Sequence, residues 1–160
     1  VRVAEPKPSS ARRRRQIGFQ QRARDAAASL DGMRIRLVSI LVDDQAKALR
    51  FYTEVMGFVA KQDFPVGEYR WITVVSPEDP DGAELVLEPN ANPVGKAFQE
   101  GLFEQRIPAT AFEVSDIAAE YARLGGLGVT FQSAPLRMGV VTIAVLADTC
   151  GNWIQLYQPA

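Results

Sequence analysis

The side chains able to do chemistry in this chain sit at alternate positions of two short β-like runs. One run, Gly82-Ala83-Glu84-Leu85-Val86-Leu87, continues into Glu88. Side chains two apart in a strand point the same way, so Glu84, Val86 and Glu88 share a face. The other run, Gly151-Asn152-Trp153-Ile154-Gln155-Leu156, continues into Tyr157 and sets Trp153, Gln155 and Tyr157 together. A carboxylate on an apolar face can have a raised pKa and then serve as a general acid or base. With Glu113, these residues offer one hard-cation alternative, Glu84, Glu88, Glu113 and Gln155, since such ions want several oxygen donors. Covalent catalysis is disfavoured. The chain has no histidine, the base that a Ser or Cys nucleophile normally needs. Cys150, the single cysteine, reads as a small buried residue in a tight turn.

The elements that must position these residues come twice. Leu37-Val38-Ser39-Ile40-Leu41-Val42-Asp43-Asp44 precedes a helical run to Phe58, and Ala109-Thr110-Ala111-Phe112-Glu113-Val114-Ser115-Asp116 precedes another to about Leu127. Val42 and Val114 are 72 positions apart, each followed by acidic or N-capping residues. In the first helix Ala48, Leu49, Tyr52, Val55 and Met56 fall at helical spacing, and Gly57 ends it. Extended segments follow near 58–64, 69–76 and 83–88. The connection 89–107 contains a Pro89–Pro93 turn and a short helix from Gly95 to Gln105, using Phe98, Leu102 and Phe103. Strand 108–114, helix 117–125 and strands near 129–133, 139–147 and 153–157 complete the second copy. Each half is β-α-β-β-β, which makes the fold class α+β. The boundaries are module one 33–90, linker 91–107 and module two 108–158, within one domain over 33–160.

Residues 1–32 differ from this body. They hold eight Lys or Arg against three acidic residues, including Arg12-Arg13-Arg14-Arg15, and almost no large apolar side chains. Such a segment cannot bury enough surface to offset the entropy of ordering, so a disordered basic extension is expected. The remainder carries 10 basic and 16 acidic residues. That excess would repel a phosphate backbone, which argues against nucleic-acid binding by the body. No apolar run approaches the ~20 residues of a membrane span. One cysteine and no signal-peptide pattern point to a cytoplasmic protein.

The repeated order, with Phe51-Tyr52-Thr53-Glu54-Val55-Met56-Gly57-Phe58 closing the first helix and Asp148-Thr149-Cys150-Gly151-Asn152 before the last strand, resembles the vicinal oxygen chelate superfamily. That family includes glyoxalase I, extradiol dioxygenases and fosfomycin- and bleomycin-resistance proteins. The resemblance covers 33–158, with Thr149 standing where the family turn has proline. It implies paired modules forming a curved mixed sheet with helices outside, a ligand on the concave side, and a homodimer. It also implies metal ligands on the first and last strand of each module, carried here by Leu37, Ala109, Val86 and Gln155. Leu, Ala and Val have no donor atom, and a lone amide oxygen cannot hold a divalent metal. No cofactor is therefore expected, the divalent metal of the register-shifted carboxylates being the alternative.

Strand alternation places Ile154 and Leu156, Leu85 and Leu87, and Val38, Ile40 and Val42 against the helices. Leu37, Ser39, Leu41, Ala109, Ala111 and Glu113 then join the concave set. For strand 69–76 either Arg70 or the set Tyr69, Trp71 and Thr73 points inward. Apolar walls with a few polar groups describe a small-molecule pocket. Trp153 and Tyr157 would stack on a planar or cationic ligand. The expected function is metal-free binding of a small amphipathic or aromatic molecule, as in bleomycin-resistance proteins. The alternative is an enzyme, a divalent-metal lyase or dioxygenase or a metal-free acid–base catalyst, using the same carboxylates.

Overall fold

The computed structural model describes residues 32–160, so the expected basic extension lies outside the described residues apart from Gly32. Strand β1 (Leu37–Val42) leads to helix α1 (Gln45–Arg50), which runs on as a π turn over Phe51–Val55. Strands β2 (Val59–Val66), β3 (Tyr69–Val75) and β4 (Glu84–Pro89) follow. Helix α2 (Pro93–Glu104) connects to β5 (Pro108–Glu113), α3 (Ile117–Gly126), β6 (Leu136–Met138), β7 (Val141–Ala147) and β8 (Trp153–Pro159). Each half makes a four-stranded mixed sheet, in the orders β1-β4-β3-β2 and β5-β8-β7-β6. β1 and β5 run parallel to β4 and β8; the other pairs are antiparallel. This is the α+β arrangement of paired β-α-β-β-β modules.

Local chemistry explains the matching halves. Asp44 caps α1 by accepting from the Lys47 amide at 2.9 Å, and Asp116 caps α3 by accepting from Ala118 and Ala119. Each satisfies donors that a helix start leaves orphaned. Asn92 does the same for α2, with Pro93 in the first turn. At the end of α1 the Met56 amide donates to the Phe51 carbonyl, five residues back. The wider π turn lets the adjacent Phe51 and Tyr52 both turn inward, whereas a regular helical face favours Tyr52 with Leu49, Val55 and Met56. Phe51 and Tyr52 are buried; Leu49, Val55 and Met56 are only partly so.

The helix-facing sides of both sheets enter one core. Ile40, Val42, Ile72, Val74, Leu85 and Leu87 come from the first half, and Ala144, Leu146, Ile154 and Leu156 from the second. Ala48, Phe51, Tyr52, Ile117 and Leu124 supply the helical side. Full burial of such side chains stabilises by about 1.5–3 kcal/mol each. The expected inward sets are all there except Val38, which is 45% exposed near the start of an edge strand.

A buried polar cluster joins the halves. Asp148 accepts from Tyr52 Oη (2.9 Å), Asn152 Nδ2 (2.7 Å) and the amides of Cys150 and Asn152. Burial pushes the Asp148 carboxyl above its ordinary range, against the lowering pull of those donors. Burial, then the Asp148 charge, pushes the Tyr52 phenol well up. From α2, Gln99 donates to the carbonyls of Leu41 (2.8 Å) and Cys150 (3.0 Å) and accepts from Asn90. Gln99 is thus the buried anchor of α2, while Phe98, expected on its apolar face, is 63% exposed. Gly151, at φ +97°, admits this contact: a Cβ there would lie 2.9 Å from Gln99 Nε2.

Candidate functional site

Each sheet has a second face, turned away from the shared core. On the first sheet the pairings Leu37↔Glu84, Ser39↔Val86 and Leu41↔Glu88 place these six on it. Thr73 pairs with Val86, so Tyr69, Trp71, Thr73 and Val75 belong to the same face. That resolves the facing of β3: Arg70 lies on the opposite side with Ile72 and Val74, ion-paired to Asp63. Pairing with β2 adds Gln62 opposite Thr73 and Phe64 opposite Trp71. The face is buried at its middle (Thr73, Val75, Val86) and exposed at its rim (Leu37, Phe64, Val66).

Glu84 is held rather than free. Its Oε2 accepts from Thr73 at 2.7 Å, and its Oε1 lies 3.2 Å from Lys61 Nζ. The Thr73 hydrogen bond, with Lys61 beside it, holds the carboxyl below its ordinary range, so it is ionised near neutrality. An exposed Glu88 completes the row. The β3–β4 ladder is short, and the Gln45 side chain bridges its far end by donating to the Arg70 and Leu87 carbonyls and accepting from the Arg70 amide.

On the second sheet, Trp153, Gln155 and Tyr157 share the face opposite to Ile154 and Leu156. Their rows are Pro108–Trp153–Ala147, Ala111–Gln155–Val145 and Glu113–Tyr157–Ile143. A register shift between Pro108 and Thr110 takes Ala109 out of the row where the duplicated spacing expected it, and Pro108 stands opposite Trp153 instead. Tyr157 donates to Glu113 Oε2 at 3.0 Å, which raises the phenol's pKa. Trp153 is engaged by α2. Its indole lies parallel to the Phe103 ring with centroids 5.1 Å apart, and its Nε1 donates to the Phe103 carbonyl at 2.9 Å.

Within one chain the two groups therefore lie on different sheets: Ser39, Trp71, Glu84 and Glu88 on one, Glu113, Trp153, Gln155 and Tyr157 on the other. Among the described residues no three His, Cys, Asp or Glu side chains converge as a metal-binding group. Of the four positions where the family resemblance places ligands, Leu37 and Val86 are apolar, and Pro108 and Ala109 at the β5 shift offer no donor side chain. Gln155 alone carries a donor, so this set does not fit a divalent metal. Lys61 carries no local sequence signal, and Phe103 and Thr73 read only as an apolar residue of the linking helix and as part of one of two candidate inward sets on β3. No local pattern pairs Phe103 with Trp153.

A separate cleft of about 520 Å³ runs along α2, lined by Asp43, Asn90, Lys96, Gln99, Phe103 and Glu104 among others. It touches neither Trp71 nor Gln155. Among the described residues no helix is long and apolar enough to cross a membrane.

Residues 34–156 match the model of the Glyoxalase/Bleomycin resistance protein/Dioxygenase superfamily. The chain is similar to the uncharacterized protein YurT of Bacillus subtilis (strain 168), 56% identical over 79% of this chain and 99% of that one. It is also similar to lactoylglutathione lyase of Escherichia coli O157:H7, 25% identical over 79% and 93%. Among solved structures, UcmS2 is 34% identical with a TM-score of 0.69, covering 79% of this chain and 98% of that one. TnmS3, an antibiotic binding protein from Streptomyces sp. CB03234, is 28% identical with a TM-score of 0.66, covering 82% and 99%.

Proposed function

Because the chain belongs to the Glyoxalase/Bleomycin resistance protein/Dioxygenase superfamily, we propose that it binds a small amphipathic or aromatic molecule without a metal, as a homodimer. The observation that carries this reading is the pair of outward sheet faces. They bear aromatic and hydrogen-bonding side chains, while the positions where the family resemblance asks for metal ligands hold Leu37, Val86, Ala109 and a lone amide, Gln155. The first face offers Trp71 and the oriented carboxylate of Glu84; the second offers Gln155 and the Tyr157–Glu113 pair. Likeness to an antibiotic binding protein supports the same class of ligand.

Each face alone leaves large apolar side chains in water at its rim: Leu37, Phe64 and Val66 on the first, Leu136 and Met138 on the second. Exposed apolar area of this kind favours association. In the dimer we propose, the first face of one copy covers the second face of the other, and the ligand lies between them. Two such sites form per dimer. Lone, buried Cys150 suits a reducing cytoplasm.

Likeness to lactoylglutathione lyase favours an enzymatic reading instead, with Glu84, Glu88 or Glu113 as acid–base groups or cation donors. Elemental analysis of the purified protein, with sedimentation and titration of flat aromatic compounds, separates the two. The binding reading expects a dimer, no stoichiometric metal and saturable quenching of tryptophan fluorescence. One equivalent of tightly held nickel, zinc, manganese or iron would overturn it.

A further inference from the structure

We infer that Phe103, on the helix linking the modules, is an end stop that limits the length of ligand the β5–β8 face accepts. This rests on the binding function proposed above and adds a specificity-determining residue to it. In this proposal the face works as a trough. Its floor is the middle row, where Gln155 lies between the small Ala111 and Val145. One end is raised by Tyr157, bonded to Glu113. The other is raised by Trp153, whose neighbours in its row are Pro108 and Ala147.

Trp153 to Tyr157 is four residue steps, or roughly 13 Å of strand. With both ends walled by aromatic rings, the floor has room for about two to three fused rings, lying flat over Gln155. The Trp153 wall does not stand alone. Phe103 covers one side of the indole in parallel stacking, and its carbonyl takes the indole N–H. A ligand growing towards that end meets an indole pinned by Phe103 on its ring and its N–H, not one free to swing aside. The Gln155 amide, offering both a donor and an acceptor at mid-trough, fixes the ligand's polar atom.

The chain's two tryptophans, Trp71 and Trp153, both lie on the proposed site faces, so quenching of intrinsic fluorescence reports binding. The probes are quinoline, acridine and benz[b]acridine, which present two, three and four linearly fused rings with one ring nitrogen. Wild-type protein is expected to bind acridine more tightly than the four-ring probe. Phe103→Ala should shift that preference towards four rings by about tenfold, the scale of one lost or gained aromatic contact. Phe103→Leu, which keeps apolar bulk and guards against a folding defect in the alanine variant, should shift it in the same direction by less. Ala111→Trp, at an exposed position, should weaken all three by filling the floor. An unchanged preference in folded Phe103→Ala or Phe103→Leu protein, with all probes still binding, would sink the end stop alone. Failure of all three probes to quench wild-type protein would instead remove the aromatic-ligand reading on which it stands.

Discussion

Tyr52 and Asp148, 96 residues apart, meet at 2.9 Å in the interior, a phenol of the first module donating to a carboxylate of the second. Both are fully buried, so neither has water to fall back on. Tyr52→Phe leaves that carboxylate oxygen with Asn152 Nδ2 as its remaining donor. Loss of one bond to a buried charge costs about 1–3 kcal/mol. Because burial raises the Asp148 pKa, the folded state holds this proton more tightly than the unfolded chain. Its contribution is therefore fully present below the unfolded aspartate pKa and is lost as pH rises through the folded value. Removing Tyr52's donor raises that value further. Urea denaturation should accordingly show a larger penalty for Tyr52→Phe near pH 7 than at about pH 3.5.

Gln99 makes a second cross-module contact, and its loss is expected to be as costly. Gln99→Leu fills the space but strips a donor from the Leu41 and Cys150 carbonyls and an acceptor from Asn90. Thermal denaturation should show a loss of about 2 kcal/mol or more. A stability unchanged within about 0.5 kcal/mol would mean that water replaces the amide.

Cys150 is fully buried, and burial with the neighbouring Asp148 charge pushes its thiol up to about 12. The thiolate, not the thiol, reacts. A disulfide reagent at about pH 8 should leave the folded protein unlabelled and modify one thiol once guanidinium unfolds it. Rapid native labelling would show that the β7–β8 turn opens.

Thr149 holds a φ of +61°, a left-handed conformation that a β-branched residue adopts at a cost. Its side chain is exposed and makes only a 3.9 Å contact to Cys150 Sγ. Thr149→Gly should therefore raise stability by about 1 kcal/mol. A loss instead would assign the hydroxyl a structural role.

The two faces of β8 should respond oppositely to truncation. Leu156→Ala removes a buried side chain from the shared core and should cost about 2–5 kcal/mol. Gln155→Ala should leave the melting temperature close to wild type and weaken ligand quenching. Reversal of the two outcomes would put the strand one residue out of register.

The double β-α-β-β-β order and the inward faces of β1, β4 and β8 were legible in the sequence, because they rest on local signals. Asp44 and Asp116 mark helix starts, and Ile154/Leu156 and Leu85/Leu87 mark faces. The facing of β3 was not legible: Trp71, Thr73 and Val75 look as suited to burial as Ile72 and Val74. Nor did the sequence separate Gln99 from Phe98 on α2, since every acceptor of its buried NH2 group lies more than fifty residues away in the chain. The Pro108–Thr110 shift displaced Ala109 for a like reason, as strand register is set by the partner. As for the candidate site, its residue types were visible; their division between two sheets came from the chain's path.

That single core has a consequence for how the duplicated chain holds together. The core runs through both halves, so a fragment ending after β4 keeps its own helix but loses the Ala144, Leu146, Ile154 and Leu156 side of that core. Two such half-length pieces would have to find each other by diffusion. The stretch from Pro93 to Glu104 makes their meeting intramolecular, at an effective concentration in roughly the millimolar range or above. Unfolding should then be one concerted event for both repeats, and severing the connection should make stability depend on protein concentration.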